Sequence, residues 1–274
     1  MASLGSILRV NAISCLTGGA VLLIAPNAVA ALLGDPPKLP LVWIGCALLL
    51  NGAHLLFASF RRKAVPVEII WFSVGDLSWW LATIALVSSG VWITTVSGTV
   101  IALAVAAIVA SLGVAQLACL GAARTGQSWG EHWRSIGRSW LALPSSVKAW
   151  LFALNVIFLL SPAFLTWPKA AVILLAYAAT GPLLLGFAAV RGGLTRDMGV
   201  GHLIPWLPLL AWLAVDIRQS EMGGMVTVYI LVLALVTAAC LLMDAYDLGR
   251  WLWGERQVLG TPNAEDPARD RVSG

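Results

Sequence analysis

The chain has 274 residues, of which 59% are hydrophobic and 11% charged, and its mean hydropathy is +0.88. A soluble domain carries roughly a quarter charged residues, and 17 basic plus 13 acidic side chains cannot cover a water-facing surface of this size. Composition therefore excludes a soluble enzyme and, despite a net charge of +4, a nucleic-acid-binding protein. It points to an all-α polytopic membrane protein.

A helix needs about 20 largely apolar residues to cross ~30 Å of hydrocarbon, where unpaired backbone groups are too costly to leave. Eight such runs are predicted. The first covers 10–33. Arg9 before it and Ala28-Val29-Ala30 near its end imitate a secretory signal, but it is read as a membrane helix. Asp35-Pro36-Pro37 separates it from the second run, 40–60, and Pro66 precedes the third, 67–89. Ser88-Ser89-Gly90 leads into the fourth, 96–121. The fifth and sixth, 148–166 and 169–190, end at Gly192-Gly193, and Gly223-Gly224 separates the seventh, 199–217, from the eighth, 225–246.

Between the fourth and fifth runs lies an amphipathic segment. Ser128 and Glu131 have capping-box spacing. Trp129, Trp133, Ile136, Trp140 and Leu143 recur on one helical face, with Arg134 and Arg138 off it. This pattern predicts a helix on the cytoplasmic leaflet, tryptophans at headgroup level and arginines near anionic lipid, or else a helix that docks onto a partner subunit. The chain then divides into a four-helix membrane half, 1–122, a surface helix and linker, 123–147, a second four-helix half, 148–253, and a polar, disordered tail, 254–274. A faint parallel between the halves (Asn11 with Asn155, Pro26 with Pro168, Gly52 with Gly181, Arg61 with Arg191) is compatible with a parallel duplication.

Loop charge sets the orientation. With a cytoplasmic N-terminus, only Lys38, Lys169 and Arg218 fall outside and the other fourteen of the 17 basic residues fall inside. Both termini are then cytoplasmic. Trp43, Trp92 and Trp167 fit an outer aromatic belt, and Trp71, Trp150, Trp206, Trp251 and Trp253 an inner one. Cys15, Cys46, Cys119 and Cys240 all lie in apolar runs without a CxxC pair, and read as reduced core residues.

Ionisable residues within spans are expensive and therefore informative. Asp76 lies about 14 Å along its helix from the cytoplasmic end, at ~1.5 Å per residue, with Asn51 at similar depth and His54 about 9 Å deep. Gln116 and Asn11 fall in the same leaflet, so five polar side chains from four helices converge. An Asp76–His54 pair would make a proton-titrating or polar-ligand site. The same groups could instead be interhelical hydrogen bonds that fix packing. In the second half, His202 follows Gly199 and Gly201, while Pro205 and Pro208 are expected to interrupt the helical hydrogen bonding and free carbonyls. Asp244 is placed to reach His202 or Arg196, and Asp247 to pair with Arg250.

Leu8-Arg9-Val10-Asn11-Ala12, Phe72-Ser73-Val74-Gly75-Asp76-Leu77-Ser78-Trp79 and Trp92-Ile93-Thr94-Thr95 resemble one kind of uncharacterised bacterial inner-membrane protein. Lys148 to Asn155, and Gly193-Leu194-Thr195-Arg196 through His202 to Pro208, resemble another. The resemblance implies a fusion of two four-helix membrane domains and a bacterial inner-membrane location, and implies no activity.

No nucleotide loop, HExxH pair, GxSxG elbow or aspartate-rich magnesium motif occurs, so no cofactor or metal is indicated by motif. His54 and His202 are the one pair whose leaflet suits the two axial ligands of a haem. The expected function is that of a non-enzymatic accessory or structural subunit of a larger membrane complex, in contact with the lipid bilayer and other membrane subunits. The alternatives are a small-solute or proton-coupled transporter using Asp76 and His54, and a cofactor- or lipid-binding protein.

Overall fold

The structure, a computed structural model, describes residues 3–61, 63–164, 170–219 and 224–258. Among these residues the chain forms α-helices and two short 3-10 turns, with no strand. Eight helical segments are long and apolar enough to cross a membrane, and the chain is a multi-pass membrane protein.

The first apolar run is broken in two. α1 covers Leu4–Ile24, and α2, Pro26–Leu33, is a separate short helix. Pro26 has no N–H to give to the preceding turn, so it begins a new helix at its first position. α1 starts earlier than the apolar pattern suggested because Ser3 caps it, accepting from the Ser6 amide at 3.2 Å. α3, Lys38–Ser59, returns antiparallel to α1.

The α1–α3 interface rests on small residues. A Cβ on Gly19 would lie 2.8 Å from the Gly45 carbonyl oxygen, one on Gly52 would lie 3.1 Å from that of Ala12, and one on Gly5 3.2 Å from that of Ser59. Successive contacts are seven residues apart on both helices and keep one antiparallel register. A seven-residue repeat holds one seam together as two helices wind left-handedly, and small side chains let the backbones approach closely.

α4, Pro66–Ser89, begins on Pro66, and α5, Val96–Thr125, on Thr95, whose hydroxyl accepts from the Gly98 amide at 3.0 Å. Their C-caps, Gly90 and Gly126, have φ of 62° and 67°, the left-handed conformation glycine adopts without a Cβ penalty. The Thr94 amide donates to the Leu33 carbonyl at 2.9 Å, and the Thr95 hydroxyl donates to the Leu32 carbonyl; together these tie α2 to the start of α5. α5 is the central helix, packed against α4, α1 and the later helix Ala170–Arg191.

α6, Trp129–Leu141, has the expected capping box. The Ser128 amide donates to Glu131 at 2.9 Å and the Glu131 amide to the Ser128 hydroxyl at 3.3 Å. Hydrogen bonding from the Ser128 hydroxyl and amide to the Glu131 carboxyl holds it below the usual carboxylate range. α7, Ser145–Leu159, continues into a 3-10 turn, Ser161–Phe164, and touches the helices Ala170–Arg191 and Met225–Leu252 only lightly. α8, Ala170–Arg191, joins the halves: Gly186 would bring a Cβ to 3.3 Å of Leu77 on α4 and Leu117 on α5.

A 3-10 turn, Arg196–Gly199, leads into α9, Val200–Gln219, which runs through both Pro205 and Pro208. The helix does not end there, but neither proline has an N–H, so the carbonyls of Gly201 and Ile204, four residues before each, receive no helical hydrogen bond from it. α10, Met225–Leu252, extends six residues past its predicted end. The second half has its own core of Leu154, Phe158, Ile173, Trp206, Leu213, Ile230 and Leu233.

The ends of α3, α5, α8 and α10 and the starts of α1, α4, α7 and α9 share one side with α6. We call it the basic face, since Arg61, Arg124, Arg134, Arg138, Arg191 and Arg250 lie along it.

Candidate functional site

Asp76 is 4% exposed, and its Oδ2 accepts from Asn11 Nδ2 at 2.8 Å and from Gln116 Nε2 at 2.9 Å. Gly113, one turn before Gln116 on α5, explains how Gln116 reaches it. A Cβ there would stand 2.9 Å from the Asp76 Cβ, so only glycine allows α5 this close to α4. The network continues outward. Cys15 Sγ donates to Asn11 Oδ1 at 3.8 Å and accepts from Asn51 Nδ2 at 3.6 Å. Donors thus run from α3 through α1 to a terminal carboxylate on α4, and α5 adds a second arm. Gln116 Oε1 is buried with no hydrogen-bond partner.

Asn11, Asn51, Asp76 and Gln116 are therefore brought together, with Cys15, expected only as a core residue, as a link. His54 is not part of the group. Its Nε2 lies 3.4 Å from Glu68 Oε1, and its ring packs edge-on against Phe72 at 4.8 Å. Arg61 grips both oxygens of Glu68 at 2.8 and 2.6 Å. The expected Asp76–His54 pair is replaced by two separate sites, a buried acid held by amides and an Arg61–Glu68–His54 group at the basic face. Asn51 and His54, three residues apart, point about 60° from one another around the helix axis, enough to send one inward and the other to the rim.

In the second half His202 Nδ1 lies 3.0 Å from Asp244 Oδ2, and Cys240 Sγ lies 3.4 Å from the same oxygen. Of the two partners the sequence offered Asp244, the structure selects His202. Arg196 instead meets Asp247 at 2.5 Å and Glu255 at 3.3 Å. The expected Asp247–Arg250 pair is likewise exchanged: Arg250 bonds Glu255 at 2.5 Å. Arg250 and Arg196 together hold the Glu255 carboxyl below its usual range. Arg256 lies 4.9 Å over the Trp251 ring, so the start of the segment expected to be disordered, 254–258, is held on the bundle. The rest of that tail lies outside the described residues.

His202 sits at the end of a column of rings. It stacks on Trp206 at 4.4 Å, Trp206 on Phe158 at 4.5 Å, and Phe158 on Tyr177 at 5.4 Å. Trp206 is 1% exposed, which corrects its assignment to the aromatic belt. The Tyr177 hydroxyl donates to Asn155 Oδ1. Asn155 and Asn11, paired in the proposed duplication, thus have unlike partners, and Pro168 lies outside the described residues. His54 and His202, the two possible haem ligands, belong to different clusters in different halves.

α6 docks through a polar stripe that the tryptophan pattern had hidden. His132 is fully buried, and its Nε2 lies 2.6 Å from the Ala189 carbonyl. Ser135 donates to the Gly192 carbonyl, and the Leu194 amide donates to Ser139 at 2.9 Å. Trp129 and Trp133, edge to face at 5.7 Å, pack against Val114, Leu117, Ala118 and Ala189. Two tryptophans expected at headgroup level thus contact the protein's own bundle. Trp140, Arg134 and Arg138 stay exposed. The spacing of His132, Ser135 and Ser139 at +3 and +4 was the available signal. Comparison with protein-family models, with curated proteins and with solved structures finds no match to this chain.

Proposed function

We propose that the chain is a non-enzymatic, multi-pass subunit of a larger assembly in a bacterial inner membrane, its basic face and both termini cytoplasmic. The observation that carries this reading is the Asp76 network. The polar groups that chemistry would need are engaged with one another, fastening four helices, at roughly 0.6–2 kcal/mol per interhelical contact. α7 adds support, because it buries only Leu154 and Phe158 in its own bundle and leaves Phe152 and Leu159 exposed.

The test is the size of the native particle. The tagged full chain, extracted into lipid nanodiscs, is expected to bring down other membrane proteins at fixed stoichiometry, so that the protein mass per particle, scaffold and lipid subtracted, exceeds its own 29.0 kDa. A lone chain in every mild extraction would end this reading.

A second reading is favoured by the unpartnered Gln116 Oε1 beside Asp76. That acceptor suits a proton-coupled carrier in which Asp76, Asn11 and Gln116, without His54, rearrange as a proton binds and leaves.

A further inference from the structure

His202, Cys240 and Asp244 bring an imidazole, a thiol and a carboxylate to one corner of the second half. Their donor atoms all lie within 4.8 Å of one another, with His202 Nδ1 3.0 Å and Cys240 Sγ 3.4 Å from Asp244 Oδ2. Ligand atoms held about 2.0–2.3 Å from a tetrahedral ion stand roughly 3.3–3.7 Å apart, and the observed spacing brackets that figure.

The local structure prepares these groups. Cys240 and Asp244 are one turn apart on α10 and face the same way. His202 comes from α9, and the stack on buried Trp206 sets its ring plane. Gly199 clears the space, since a Cβ there would meet the Asp244 Cβ at 2.8 Å and Oδ1 at 3.0 Å. The side chains of His202 and Asp244 keep 13% and 18% of their surface open, which leaves an ion a way in.

We propose that His202 Nδ1, Cys240 Sγ and Asp244 bind a divalent ion of the zinc class, leaving a fourth coordination position to water or an exogenous ligand. One soft, one borderline and one hard donor match zinc and its neighbours, whereas calcium and magnesium take oxygen ligands alone. The thiol coordinates as thiolate, its proton passing to solvent. This site is independent of the subunit reading and stands or falls by a different measurement.

The full chain in detergent, stripped with a chelator, is titrated with Co²⁺ and then Zn²⁺. The expected result is one ion per chain, a near-ultraviolet thiolate-to-cobalt charge-transfer band and the intense visible bands of four-coordinate cobalt, all erased by Zn²⁺. Cys240→Ser loses the charge-transfer band, His202→Ala loses the four-coordinate visible spectrum, and a variant with Cys15, Cys46 and Cys119 all changed to Ser keeps both. Zinc-edge X-ray absorption of the unaltered, Zn²⁺-loaded chain gives one sulfur ligand, a readout that does not depend on any variant folding. A monodisperse protein with no charge-transfer band, a band that survives in Cys240→Ser, or a zinc site without sulfur overturns the proposal.

Discussion

Asp76 receives both of its hydrogen bonds on one oxygen, Oδ2, and both come from side-chain amides. Two substitutions therefore separate shape from charge. Asn at position 76 keeps a carbonyl oxygen able to accept from Asn11 and Gln116, whereas Leu leaves two buried donors unpaired, at about 1–3 kcal/mol each. Asp76→Leu is expected to lower the thermal midpoint in detergent by several degrees and Asp76→Asn to change it little; equal midpoints would mean the bonds contribute nothing. Asp76→Asn, folded but unable to titrate, is then the clean probe of the carrier reading, and undiminished proton flux in that variant would exclude it. Depth arithmetic placed Asn11, Asn51, Asp76 and Gln116 in one layer because rise per residue is constant in a helix. It misassigned His54 because the direction a side chain faces around the axis depends on how the helix is rotated against its neighbours, and no single helix specifies that.

Among the elements, α1 and α3 show how backbone approach is controlled. Gly19 faces a carbonyl oxygen of α3 at 2.8 Å from its ideal Cβ position, whereas Gly75, in the middle of α4, has no atom within 4 Å. Gly19→Ala must push two backbones apart and is expected to cost about 1–3 kcal/mol. Gly75→Ala meets open space and gains helix propensity, about 0.5–1 kcal/mol in water. Unfolding of the two variants side by side checks the contrast, and a Gly19→Ala protein as stable as Gly75→Ala would refute the interface. α6 teaches a related lesson. Its capping box and its amphipathic pattern were legible, but the tryptophan stripe drew attention from His132, Ser135 and Ser139. His132 and Ser135 find the carbonyls of Ala189 and Gly192, and Ser139 the amide of Leu194, only once α6 has packed against the end of α8.

Over the whole molecule, the orientation proposed from loop charge makes a definite forecast. Lys38 and Gly254 are both exposed, on opposite faces of the bundle. Over a background in which the four native cysteines are replaced, Lys38→Cys is expected to react with a membrane-impermeant maleimide on intact cells. Gly254→Cys should react only after permeabilisation. The reverse pattern would invert the topology and place the His202–Cys240–Asp244 corner on the outer side. The two halves meet along α5 and α8, where Gly121 allows the Ala189 carbonyl to within 2.3 Å of an ideal Cβ position. Each half keeps a distinct core.

The apolar runs alone determined the number of membrane-crossing segments and the all-α class, because lipid offers the backbone no other hydrogen-bonding partner. Fixed helical rise also determined which polar residues share a depth. Tertiary structure decided what depth cannot express: the burial of Trp206, the transfer of His54 to Glu68, and the meeting of Cys240 with His202 and Asp244. Each of these depends on rotation about a helix axis and on the distance between neighbouring helices, which are settled only when several helices pack at once.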